Sequence, residues 1–163
     1  MGTTVLDPKV MANILKTPGK KKLMVIGAEA LGWELDGKKV ADYLIEIANK
    51  LECHVVGTGH TYGYLKDKIP ADRLWDMSLI NITGRLVDKE WKGLDGEGQY
   101  SMAIFGGHIV FYVSQTLSRI KNFSNWVRTV DLDKYAHPNA RFSLANLSDE
   151  EWKEFLEQVI ENL

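Results

Sequence analysis

The chain has 163 residues, 45% of them apolar and 26% charged, which fits one globular domain able to bury a core without metal or disulfide staples. With 20 Lys and Arg against 22 Asp and Glu, and a net charge of −2, the composition argues against a nucleic-acid footprint. The single cysteine, Cys53, excludes a disulfide framework and any iron–sulfur cluster held by this chain alone, and points to a reducing compartment.

Asp7 followed by Pro8 opens a short helix, with Asp7 as cap and Val10, Met11, Ile14 and Leu15 along one face. Thr17-Pro18-Gly19 stops it, and the solvated run Lys20, Lys21 and Lys22 leads into a strand over 23–26. Without polar alternation, that strand reads as buried on both faces. Apolar residues at Val40, Leu44, Ile47 and Leu51 predict an amphipathic helix over 38–51, and His54-Val55-Val56 a second strand, completing a βαβ unit. A short helix is expected over 62–68 before Pro70, and a longer one over 74–87. Trp91 to Gly98 is a glycine-rich surface loop. A third strand follows over 102–105. The segment 109–120 reads as helix, with its β-branched start leaving a strand open, and 127–130 reads as a fourth strand. Ser148 with Glu151 forms a capping box for the last helix, whose buried face carries Trp152, Phe155, Leu156, Val159 and Ile160. No apolar run approaches the ~20 residues of a membrane span, and the N-terminus lacks the pattern of a secretory signal, so a cytoplasmic location is expected. The whole of 1–163 is expected to form one domain of class α/β, a three-layer α/β/α Rossmann-like parallel sheet.

Ligands of such sheets bind beyond the strand carboxyl ends. The candidate cofactor-binding residues are therefore Gly27 and Ala28 after the first strand, Gly57, Thr58, Gly59 and His60 after the second, Gly106, Gly107 and His108 after the third, and Asp131 and Asp133 after the fourth. Glycine there lets backbone amides approach a phosphate, and a carboxylate accepts from ribose hydroxyls; glycine is also what ordinary βα turns use. The specific motifs all fail. Gly27 to Gly32 has P-loop spacing, but Trp33-Glu34 stands where Lys-Ser/Thr is required, and Tyr62 occupies the place of the third glycine after Gly57 and Gly59. There is no nucleophile elbow, and His54, His60, His108 and His137 are not spaced for zinc. No catalytic residue and no metal ligand is assigned. Trp33, Trp75, Trp91 and Tyr100 are the candidate partner-binding aromatics, with the closing of small satellite cores as the open alternative for the tryptophans.

The strings Glu90-Trp91-Lys92-Gly93-Leu94-Asp95-Gly96-Glu97-Gly98-Gln99-Tyr100, Gln115-Thr116-Leu117-Ser118, Lys121-Asn122-Phe123-Ser124 and Tyr135-Ala136-His137-Pro138-Asn139-Ala140 resemble the epsilon subunits of archaeal acetyl-CoA decarbonylase/synthase. The resemblance runs over nearly the whole chain. It implies a fold like the FAD/ADP-binding middle domain of thiamine-diphosphate enzymes, a DHS-like NAD/FAD-binding domain. Within it, the strand ending in Asp131 and Asp133 looks like the one whose carboxylates meet adenosine. It also implies two catalytic alpha subunits, bearing nickel–iron and iron–sulfur clusters, joined by two epsilon subunits in the carbon monoxide dehydrogenase component of a larger complex in archaeal one-carbon metabolism. Two roles follow from it: stabilising the catalytic subunit, or binding FAD and assisting electron transfer to it. The residues themselves speak against a good flavin site, because Glu29 sets a negative charge where a pyrophosphate would lie.

Overall fold

The computed structural model describes residues 2–163. In chain order it runs β1 (Thr3–Thr4), α1 (Pro8–Leu15), β2 (Lys22–Ile26), α2 (Glu29–Gly32), a hairpin of β3 (Glu34–Leu35) and β4 (Lys38–Lys39), α3 (Val40–Leu51), β5 (His54–Gly57) and α4 (Thr61–Leu65). After a 3₁₀ turn at Ala71–Arg73 come β6 (Leu74–Asp76), α5 (Leu79–Leu86), β7 (Met102–Gly106), α6 (Val110–Phe123), β8 (Arg128–Asp131), β9 (Phe142–Ser143) and α7 (Asp149–Glu161).

Seven strands form one sheet in the order β1-β9-β8-β7-β2-β5-β6, and every pairing is parallel. The expected doubly buried strand, β2, is there, and β7 beside it is buried in the same way. Leu23, Val25, Ala103 and Phe105 pack with Ile82 and Leu86 of α5 and Val113, Leu117 and Ile120 of α6. Their neighbours Met24, Ile26, Met102 and Ile104 face the other way, onto α1, α3 and α7. The period of two thus sends alternate apolar side chains into two cores. The result is the three-layer, Rossmann-like α/β fold.

Local chemistry sets the helix starts. The Asp7 carboxylate accepts from Lys9 N–H at 2.9 Å, and Ser148 and Glu151 form the reciprocal capping box. The Arg73 guanidinium closes the far end of α3, donating to the carbonyls of Ala48 and Cys53 at 3.3 and 2.8 Å.

Several expectations are corrected. Lys38 and Lys39 belong to a hairpin, and the helix begins at Val40. Asp36 and Gly37 join its strands with φ of 54° and 81°, the left-handed pair that a two-residue hairpin turn requires. The helix expected over 74–87 is broken: Leu74–Asp76 is an edge strand, and Ser78 caps a new helix by accepting from Asn81 N–H. The helix expected over 62–68 spans Thr61–Leu65. Val10 is exposed, and α1 buries Met11, Ala12 and Leu15 instead.

Candidate functional site

From β2 the chain crosses through α3 to β5, whereas from β7 it crosses through α6 to β8, on the opposite side. Where adjacent parallel strands diverge in this way, a crevice opens beyond their carboxyl ends. Here the two βα turns at that point lock onto each other. Gly27 N–H donates to the Gly106 carbonyl at 2.9 Å, and Glu29 N–H to the Gly107 carbonyl at 3.0 Å. A Cβ on Gly27 would strike the Gly107 carbonyl and the His108 ring; one on Gly107, at φ +82°, would strike Ala30. These glycines serve backbone-to-backbone contact within the protein. Gly106 is likewise set against Leu44, and Gly57 against the start of α4. Gly59 and His60 are exposed and lie outside the groove described below.

Asp133 fastens the same turn from below. Its carboxylate accepts from Gly107 N–H at 2.8 and 3.1 Å and from His108 N–H at 3.4 Å. Asp133 N–H in turn donates to Asp131 Oδ1 at 2.9 Å. Both carboxyls are buried and neither lines the groove; the hydrogen bonds they accept come from backbone amides of this chain. Burial, and for Asp131 the neighbouring Asp133, raises the pKa of both above the ordinary carboxylate range. Asp133 carries the amide bonds that favour its ionised form, so Asp131 is the better proton holder of the two. Asp131 Oδ2 and His137 Nε2 are both buried without a hydrogen-bond partner, and His137 Nε2 stands 3.6 Å from Asp131 Oδ1. His108 is buried as well, with Nε2 donating to the Val25 carbonyl at 3.0 Å. Burial pushes its pKa down to about 4, so the ring is neutral at pH 7.

Above this floor lies a groove of about 500 Å³ between α5 and α6, a volume in the range of small-molecule sites. Of the predicted site residues it gathers Ala28, Thr58, Gly107 and His108. The rest of its wall comes from helix faces that strand-end reasoning passes over, chiefly Leu79, Ile80 and Thr83 of α5 and Tyr112, Thr116 and Arg119 of α6. Positions 112, 116 and 119 recur at helical spacing, which is the signal that could have found them. The charged side chains on the wall are Glu29 and Arg119. Neither makes an ion pair among the described residues.

The turn end of the groove is poorly suited to a pyrophosphate. The amides of Glu29, Gly107 and His108 are already bonded within the chain. The start of α6, where Ile109 gives no side-chain cap, offers an anion about 0.3–1 kcal/mol through the helix dipole. A phosphate about 4 Å from the Glu29 carboxylate would lose about 1–4 kcal/mol. Repulsion wins.

The predicted partner aromatics are half-buried or buried. Trp33 packs edge-on against Trp152 at 5.9 Å, Trp75 against His54 at 4.9 Å, and Trp91 against Tyr100 at 5.7 Å. Tyr100 is 1% exposed, and its hydroxyl lies 2.6 Å from His54 Nδ1. Of the large exposed apolar side chains, Ile80 (78% exposed), Ile109 and Tyr112 (56%) line the groove and Val110 and Phe111 (65%) adjoin them in the first turn of α6, while Leu6, Val10, Phe123 and Tyr135 lie elsewhere.

Comparison with known proteins places this geometry in a family. Residues 2–160 match the family described as CO dehydrogenase beta subunit/acetyl-CoA synthase epsilon subunit. The chain is 32% identical to the acetyl-CoA decarbonylase/synthase complex subunit epsilon of Methanothermobacter thermautotrophicus, over 95% of this chain and 85% of that one. It is 32% identical to the complex's subunit epsilon 1 of Archaeoglobus fulgidus, over 98% and 84% of the two chains. With the subunit epsilon of Methanothrix soehngenii it shares 33% identity over 86% and 72%. The chain therefore belongs to the family of CO dehydrogenase beta subunits and acetyl-CoA synthase epsilon subunits.

Proposed function

We propose that this chain is an accessory subunit of an acetyl-CoA decarbonylase/synthase complex, acting in the cytoplasm without catalysis of its own. In this reading it stabilises the catalytic alpha subunit of the carbon monoxide dehydrogenase component, two of each in the assembly. The observation that carries it is the exposed apolar side chains on and beside the groove, Ile80, Ile109, Val110, Phe111 and Tyr112, because exposed apolar patches mark sites of protein association. The named relatives, subunits of such a complex, support a partner among its other subunits. The glycine-rich loop with Trp91 is a second candidate contact. Co-purification with the catalytic subunit tests both. The double variant Ile80→Glu with Phe111→Glu should lose the partner while the isolated chain keeps its fold, and Trp91→Ala should weaken association if the loop takes part. Full retention by the double variant removes Ile80 and Phe111 from the interface.

A second reading, FAD binding in support of electron transfer, is favoured by the groove's position at the strand divergence. It predicts saturable flavin binding by calorimetry, weakened by Asp131→Ala through the floor of the site. No binding at high micromolar FAD, alone or with the catalytic subunit, rules that reading out.

A further inference from the structure

The two charged residues of the groove, without an ion pair among the described residues, come from the β2 turn and from the second half of α6. Glu29 follows the β2 turn, beside Gly107. Arg119 lies two turns down α6 from Tyr112, which a rise of about 1.5 Å per residue places roughly 10 Å along the groove. The guanidinium reaches the gap left by Gly84 of α5, where a Cβ would lie 3.9 Å from it. Between the two ends the wall is apolar apart from hydroxyls, Gln115 and the neutral His108 ring, whose Nε2 is taken up by the Val25 carbonyl, and Tyr112 is exposed.

That pattern selects a ligand with its own polarity. A carboxylate with no partner attracts an N–H edge. A free guanidinium forks onto a carboxylate or phosphate, and an exposed tyrosine ring offers a stacking face to a flat heterocycle. The turn end, with its amides occupied and its carboxylate unpaired, refuses the anion. The helix end accepts it.

We propose that the groove between α5 and α6 binds an aminated heteroaromatic ring carrying a single anionic group, of the aminopurine nucleoside monophosphate class, held in reverse. The amino edge meets Glu29 at the turn end, the ring lies on Tyr112, and the anion reaches Arg119. Nucleotides in parallel sheets ordinarily place phosphate at the turn; this groove places it away from the turn. The inference rests on the groove being a ligand site, a premise it shares with the flavin reading, but it does not require a dinucleotide.

Calorimetric titration of the full chain with AMP, adenosine and FAD separates the cases. AMP should bind about tenfold more tightly than adenosine, the difference that one charge-assisted contact makes. Arg119→Met should bring AMP down to the level of adenosine and leave adenosine within about twofold, because Arg119 is exposed and its loss spares the fold. Glu29→Leu should weaken AMP and adenosine alike. Equal affinities for AMP and adenosine, or an Arg119→Met chain that still prefers AMP, overturn the proposal, as does no binding of either at millimolar ligand. FAD binding more tightly than AMP, and more tightly still in Glu29→Gln, puts phosphate at the turn; it overturns the reversed orientation while supporting the flavin reading. These titrations use the chain without its partner, so partner association is a separate measurement and failure of the ligand proposal leaves the accessory-subunit reading to its own test.

Discussion

Asp133 grips the turn at Gly107: one carboxylate receives the Gly107 amide at 2.8 and 3.1 Å and the His108 amide at 3.4 Å. The exit of β8 is thereby tied to the exit of β7, and the floor of the groove hangs on that tie. Asp133→Asn turns one acceptor into a donor facing two N–H groups. A loss of about 1.5–3 kcal/mol is expected, read as a lowered midpoint in urea with an unchanged slope. A variant as stable as the parent would show that the turn stands without the carboxylate.

His108 makes the fold acid-sensitive. The folded ring titrates at about 4 against an ordinary 6.5, so between those values the unfolded chain binds more protons. Stability is present in full above pH 6.5 and is lost as pH falls toward 4. At about 1.4 kcal/mol per pH unit the shift corresponds to about 3 kcal/mol. Urea midpoints measured from pH 7 to pH 4.5 should fall more steeply for the parent than for His108→Gln, whose amide can still donate to the Val25 carbonyl.

Asp131 acts with the opposite sign. Its folded pKa lies well above 3.8, so from pH 4 upward the folded chain holds the proton that the unfolded chain has released, and stability falls as pH rises. Asp131→Asn keeps an oxygen for the Asp133 amide and removes that dependence. The variant should lose less stability than the parent between pH 5 and pH 8, and parallel curves would show that Asp131 is ionised throughout.

Tyr100→Phe tests the other end of the sheet. The hydroxyl lies 2.6 Å from His54 Nδ1 and accepts from Leu94 N–H at 3.3 Å. Its removal leaves a half-buried imidazole nitrogen and an amide unpartnered, at a cost of about 1–3 kcal/mol. Hydrogen exchange should rise first in the loop from Trp91 to Gly98, and a uniform rise over the sheet would deny the loop a separate role.

The parts of this fold that were legible in the sequence are those with one dominant cause. Leu23 to Ile26 and Met102 to Phe105 announce doubly buried strands because every residue in them is apolar, and Ser148 with Glu151 announces α7 because a capping box needs both residues at that spacing. Short elements held by tertiary pairing were not legible. Thr3 and Thr4, Phe142 and Ser143, and Leu74 to Asp76 are strands only because neighbours complete them, and two or three residues cannot show a period. The Asp36-Gly37 turn did carry a local signal. At the site, Ala28, Thr58, Gly107 and His108, named for their position after a strand, line the groove. The same position also pointed to Asp131 and Asp133, which turn inward, because sequence position gives the strand end and not the direction of the side chain.

The Lys21–Asp95 ion pair, with the Tyr100–His54 contact beside it, fastens the glycine-rich loop at the strand starts, whereas the groove opens where the strands finish. A five-residue strand such as β2 separates the two by roughly 17 Å. The chain thus has two poles, each with its own chemistry. A protein clasping the loop would leave the groove open to solvent, so a small molecule could enter and leave without the assembly coming apart. A protein seated on the exposed apolar side chains beside the groove would instead close over it and make the lifetime of any ligand a property of the complex.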